Sequence, residues 1–134
     1  MSSPDIASAL ILQPHWAELL LTGIKTWELR SVPTSKRERV AIAVSGTGKL
    51  MGEVSIIDCV KVMENGVSLL PLPLEKFQHL HCVPDLRMFP YTTVYVWVVT
   101  DPLRYEEPKT YTHKQGAIVW VSLKDPQGSK KIDH

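Results

Sequence analysis

The chain has 134 residues, 44% of them hydrophobic and 22% charged, and its 15 basic and 14 acidic side chains leave a formal net charge of +1. That length suits one domain with a single core, in a composition ordinary for a globular protein, and no apolar run approaches the roughly 20 residues of a bilayer-spanning helix. A protein that coats nucleic acid by bulk electrostatics usually carries a larger excess of positive charge, so any anionic ligand has to be caught by a local patch.

In chain order, "SALILQ" (residues 8–13) is a short apolar run that reads as a buried strand, and Pro14 after it suits the first turn of a helix. "HWAELLLTG" places Trp16, Leu19 and Leu20 at helical spacing, with Gly23 as a stop signal. A helix of about two turns is stable only if it docks. "TWELRS" resumes in extended form, and "SVPTSKRER" is a polar loop rich in basic residues. "RVAIAVSG" predicts a buried strand, "SGTGKLMG" a glycine-rich turn and "GEVSIIDCVKVM" a strand that crosses the domain. Residues 64–85 mix turn signals with a short helix around Leu74 to Leu80. Thr92 to Asp101 is dominated by β-branched and aromatic residues and predicts a strand. "PLRYEEPKTYTHKQG" reads as a connecting loop, and Ala117 to Leu123 as the closing strand.

Five or six strands against one or two short helices, without βα alternation, predict a mostly β (α+β) fold. The expected architecture is a small antiparallel β-barrel with the helices flanking it. One domain is expected over residues 1–126, followed by a polar tail at 127–134.

The densest chemistry lies in "GIKTWELR", residues 23–30. In a flat strand Thr26, Glu28 and Arg30 share one face, while Trp27 and Leu29 share the other, which favours the core for Trp27. Lys25 is out of parity with Glu28, and the two converge only if Lys25 sits in a turn before the strand. Gly23 makes such a turn inexpensive. The bland alternative is an edge strand whose Glu28 and Arg30 form a surface ion pair worth ~0–1 kcal/mol.

"LQPHWAELLLTGIKTWELRS" resembles the opening signature of the ASCH domain, a β-barrel fold related to the PUA RNA-binding domain. The signature joins a Q-P helix start to G-x-K-x-x-E-x-R, and it falls on Gln13, Pro14, Trp16, Gly23, Lys25, Glu28 and Arg30. "GEVSIIDCV", "VYVWVVTDPLRYEEP" and "HKQGAIVWVSL" resemble the later strands of the same family, so the resemblance spans about residues 8–123. It implies a cleft between the first helix and the barrel, and an association with RNA or nucleotides.

The residue chemistry agrees with that implication. Lys25 offers a cation for phosphate, and Arg30 a planar fork for phosphate or a base edge. Glu28 can hold Arg30 or accept from an exocyclic amine. Trp16 or Trp27 can stack a base, and the start of the first helix, Pro14 to Trp16, presents free backbone N–H groups. With Gln13, Gly23 and Thr26 these, Trp27 excepted, make the expected ligand-binding set. Lys36, Arg37, Arg39, Lys109, His113 and Lys114 are the expected rim for nucleic acid, each open to the plainer reading of a solvated loop residue.

No cofactor and no metal is expected. "HLHC", residues 79–82, lacks the second-half spacing of a zinc site, and the simpler account is a short helix with a partly buried His81 and a core Cys82. Cys59 and Cys82 are too few for a disulfide framework, which points to a reducing intracellular compartment, cytoplasmic or nuclear. The expected ligand is RNA, another single-stranded nucleic acid, or a nucleotide or nucleoside, bound by a monomer without a membrane.

The alternative is a hydrolase. Some proteins resembling this family cleave N4-acylated cytidines with a lysine, a threonine three residues on and a distal glutamate. Lys25 matches the lysine, but Glu28 stands where the threonine would be, Thr26 is displaced, and Glu75 is a loose match for the distal acid. As an enzyme of this kind or a ribonuclease, the chain would use Lys25 and Glu28 as an acid–base pair.

Overall fold

Every residue of strand β1 (Ser8–Leu12) is buried, as a run without polar alternation requires when both faces are covered. It pairs in parallel with β3 (Arg39–Val44) and antiparallel with the short β7 (Trp120–Ser122). The structure is a computed structural model that describes residues 6–124, so the tail expected at 127–134 lies outside the described residues.

Two long strands carry the rest. β4 (Lys49–Glu64) and β6 (Val94–Thr110) pair antiparallel along most of their length, with β2 (Trp27–Arg30) on the far side of β6 and β5 (Val67–Ser68) against the end of β4. The sheet order is β2-β6-β4-β3-β1-β7, antiparallel except for β1 with β3. This is the expected mostly β, barrel-like fold, with one qualification: its ends, β2 and β7, are not hydrogen-bonded to each other.

Side chains bring the two ends together instead. Trp97 of β6 stacks on Trp120 of β7 with centroids 5.7 Å apart and planes 11° from parallel. The main core, which includes Leu10, Val40, Ile42, Val54, Ile56 and Trp97, receives Ala17, Leu20 and Leu21 from helix α1 (Pro14–Leu21). Two turns of helix are held by that docking. A second helix, α2 (Gln78–His81), follows a 3-10 turn at Leu74–Phe77 and packs near β2.

Three expectations are corrected. The segment after Asp101 is not a connecting loop: β6 continues to Thr110. Asp101 takes φ +54° and the register shifts between the pairs Ser55–Thr100 and Glu53–Leu103, so Pro102 sits in a bulge where no ladder bond is needed. The closing strand is accordingly shorter than expected, only Trp120–Ser122. His81 and Cys82 exchange roles, with His81 fully buried and Cys82 half-buried.

Gly52 shows how tightly the layers meet. A Cβ there would lie 2.4 Å from the Leu103 carbonyl oxygen and 2.6 Å from Leu21 Cδ2. The absence of a side chain lets β4, β6 and α1 converge at one point.

Candidate ligand-binding cleft

The turn that follows α1 decides where the charges go. Thr22 and Gly23 close the helix through bonds to the Glu18 and Leu20 carbonyls, and Gly23 adopts φ +80°, a left-handed conformation that suits glycine. The chain then doubles back so that the Lys25 amide bonds to the Leu19 carbonyl, 3.0 Å away. Lys25 therefore precedes β2 in a turn, and this placement brings its side chain to the same side as Glu28 and Arg30.

The segment also completes helix α2. The last carbonyls of a helix lack internal partners. Here the Thr26 amide donates to the Leu80 carbonyl at 3.1 Å, and the Lys25 ammonium donates to the His81 carbonyl. His81 is locked from both sides: its Nδ1 accepts from the Val83 amide at 3.0 Å, so its Nε2 carries the proton and donates to the Leu74 carbonyl at 2.9 Å. That bond pattern fixes a neutral imidazole.

Lys25 is only 2% exposed. Its ammonium lies 3.7 Å from Glu28 Oε1 and 4.9 Å from the centre of the Trp16 ring. Burial lowers its pKa from the usual lysine value, while the Glu28 carboxylate opposes that shift. The other oxygen of Glu28 accepts from Arg30 Nε at 2.8 Å. The Arg30 guanidinium rests over Trp97 at 5.3 Å, and Lys36 lies over the stacked Trp120 at 4.9 Å, so two cations and two indoles brace the seam of the barrel.

Around this triad opens a cleft of about 540 Å3, within the usual range of small-molecule sites. Gln13 and Trp16 line it from the start of α1, Lys25, Glu28 and Arg30 from the β2 segment, Phe89 and Tyr91 from the loop before β6, and Ile118 and Val119 from the approach to β7. The cleft thus sits at the gap between the two unpaired ends of the sheet. Its mouth is apolar: Val32, Met88, Tyr91 and Ile118 are each more than half exposed.

Of the expected ligand set, Gln13, Trp16, Lys25, Glu28 and Arg30 are brought together. Pro14, Gly23 and Thr26 are not among the lining residues; Pro14 and Gly23 shape the chain on either side of α1, and both backbone groups of Thr26 serve structure, its carbonyl accepting from the Val99 amide at 2.9 Å. Trp27 points away and stacks on Phe77 at 5.5 Å, packed against a cluster around Leu29, Val62 and Leu74.

None of the basic residues expected as a rim is among the residues lining the cleft, although Lys36 lies over Trp120 at its seam. Arg37 bonds to the Thr34 and Lys36 carbonyls. Arg39 turns into the sheet, to Glu53 at 2.7 Å. Lys109 lies over the Tyr105 ring at 4.7 Å. His113 lines a separate hollow, and Lys114 donates to the Lys124 carbonyl at 3.3 Å. Glu75, the loose match for a distal catalytic acid, is exposed and lines another neighbouring hollow rather than the cleft. The cleft walls from residues 83–91 and 118–119 had no local signal, because their side chains are unremarkable until the fold gathers them. Among the described residues no group of histidine, cysteine and acidic side chains is placed to hold a metal, and no helix is long and apolar enough to cross a membrane.

Burial of His81 has a consequence for pH. Desolvation lowers its pKa from 6.5, and the nearby Lys25 charge adds to the effect, while the Leu74 carbonyl opposes it. The unfolded chain therefore binds more protons below about pH 6.5, so stability is retained above that value and falls as pH drops through it. Urea midpoints measured from pH 7.5 to 5 should decline on the acid side, and His81→Gln should flatten that decline. Parallel slopes for the two proteins would show that His81 is not the titrating group.

The family model for the ASCH domain matches residues 10–109. Among solved structures, the chain is similar to the crystal structure of ASCH from Zymomonas mobilis, with 15% identity and a TM-score of 0.67, over 94% of this chain and 92% of that one. It is likewise similar to a serine-to-alanine mutant of that protein, with 17% identity and a TM-score of 0.60, over 94% and 93% of the two chains. At these identities the likeness is one of fold. No curated protein sequence matches the chain.

Proposed function

The chain belongs to the ASCH domain family, and from that premise we propose that it binds RNA or a nucleotide in the cleft between α1 and the seam of the barrel. One observation carries the reading. Arg30 lines the cleft, its Nε is held by Glu28, and among the described residues its two terminal nitrogens have no protein acceptor. A guanidinium pinned at one end and open at the other is a fork for a base edge or a phosphate oxygen. Trp16 and Tyr91 supply aromatic faces on the same walls.

Lys25 has a supporting part in this reading. Its ammonium is engaged by the His81 carbonyl and Glu28, so it orients the carboxylate rather than meeting a ligand in the open. The same engagement argues against an amidase that needs a free lysine, and Glu75 is absent from the cleft.

Arg30→Ala should weaken binding of short RNA by about 10- to 100-fold, the weight of a charge-assisted hydrogen bond, when measured below the onset of unfolding, because the variant also gives up the bond to Glu28 and the contact with Trp97. With one cation available to phosphate, the logarithm of affinity should fall with the logarithm of salt at a slope near −0.7. Equal affinity for wild type and Arg30→Ala would remove the proposed site. Release of cytidine from N4-acetylcytidine, abolished by Lys25→Ala, would replace the binding reading with the hydrolytic one.

A further inference from the structure

The cleft shares lining residues with two other hollows. One, of about 420 Å3, contains Tyr111 and His113 and shares Ile118 with the cleft. The other, of about 410 Å3, lies beside Leu86 and Arg87 and shares Phe89 and Tyr91 with it. The two outer hollows have no lining residue in common, so the three are chained with the cleft in the middle. Of the shared residues, Ile118 is 79% and Tyr91 53% exposed.

Each hollow carries an aromatic surface. Tyr111 and His113 meet edge to face at 5.8 Å, with the tyrosine hydroxyl and His113 Nδ1 2.8 Å apart. Phe89 and Tyr91 meet edge to face at 5.0 Å and present to both the cleft and the third hollow. Cations are sparse by contrast. Among the described residues, the three hollows include, besides Arg30 and the buried Lys25, only Arg87, which is paired with Asp85 at 2.7 Å. Repeated aromatic platforms with few fixed cations suit successive bases rather than a string of phosphates.

We propose that the three hollows form one track that takes three consecutive nucleotides of a single-stranded RNA, with the central base at Arg30 and the flanking bases against His113 and Tyr111 on one side and Phe89 and Tyr91 on the other. This inference rests on the nucleic-acid reading of the cleft and extends it from a pocket to a path. A duplex is a poor occupant, because its bases are stacked on one another and cannot enter separate hollows.

The test is calorimetric titration of the full chain with random-sequence RNA of one, two, three, four and six nucleotides. Affinity should rise by about tenfold for each nucleotide up to three and then level off. Two surface variants, His113→Ala in one outer hollow and Arg87→Glu at the rim of the other, should each weaken the trinucleotide while leaving the mononucleotide unchanged. If mononucleotide and trinucleotide bind equally, or both variants bind the trinucleotide as tightly as wild type, the track is wrong and the cleft reading stands. If no RNA of any length binds, the cleft reading falls as well.

Discussion

Replacing Trp97 by alanine should lower the stability of the fold by about 4 kcal/mol, read as a shift of the urea unfolding transition. The residue is 1% exposed, and truncating a buried aromatic removes both its transfer free energy and its packing partners. Trp97 also has a particular place in the sheet. It stands on β6, next to the edge strand β2, and its ring meets Trp120 on the opposite edge strand β7, where no ladder bonds link the ends. Its indole N–H donates to the Val32 carbonyl at 3.0 Å, tying down the chain that leaves β2. Trp97→Phe is the informative companion. It keeps an aromatic face beneath Arg30 and loses the Val32 bond, so it should cost less than alanine and retain RNA binding. A loss below about 1.5 kcal/mol for Trp97→Ala would mean that the seam is held by something else.

The second large effect is expected at Arg39. Glu53 is 1% exposed, and its carboxylate receives Arg39 Nε at 2.7 Å and the Tyr105 hydroxyl at 2.8 Å. Arg39 also donates to Ser55 Oγ at 2.9 Å and to the Asp101 carbonyl at 2.8 Å, so it bridges β3, β4 and the bulge of β6. Desolvation, reinforced by the bond to Glu53, raises the Tyr105 pKa well above that of an ordinary phenol, and the group stays a proton donor. Arg39→Met should cost about 3 kcal/mol, because it takes a counter-cation from a carboxylate that water barely reaches. Adding Glu53→Leu to that variant should recover at least half of the loss by removing the buried carboxylate that Arg39 had paired. If the double variant is less stable than the single one by the full cost of Glu53→Leu, the two residues act independently and the pairing account is wrong.

This network explains why a rim of basic residues was a poor expectation at Arg39. In sequence it stands where the polar run "SVPTSKRER" meets the strand "RVAIAVSG", and nothing local decides which way its side chain turns. Its partners are Glu53, Ser55 and Asp101, on strands that reach it only through the pairings of β3 with β4 and β4 with β6. Lys36 has a similar history: its place over Trp120 depends on the sheet curling until its last strand faces its first. A basic residue near a site in sequence is therefore no measure of the charge available to a ligand, and that count is small here.

The chain's own order of residues determined the mostly β fold, the docking of a two-turn helix between Pro14 and Gly23, and the chance for Lys25, Glu28 and Arg30 to meet. These depend on periodicity, on a glycine able to take positive φ and on residues a few positions apart, all of which act locally. The same local rules favoured turning Trp27 away from the cleft, since neighbours in a strand face opposite ways. Tertiary structure alone decided that Lys25 would be buried against the His81 carbonyl, that Arg30 would lie on Trp97, and that distant loops would wall the cleft. It also carried β6 through Asp101 and Pro102, where a turn was the natural reading, because a bulge against β4 could absorb both. Strand register sets those contacts, and register follows from the fit of whole faces rather than from any single stretch of the chain.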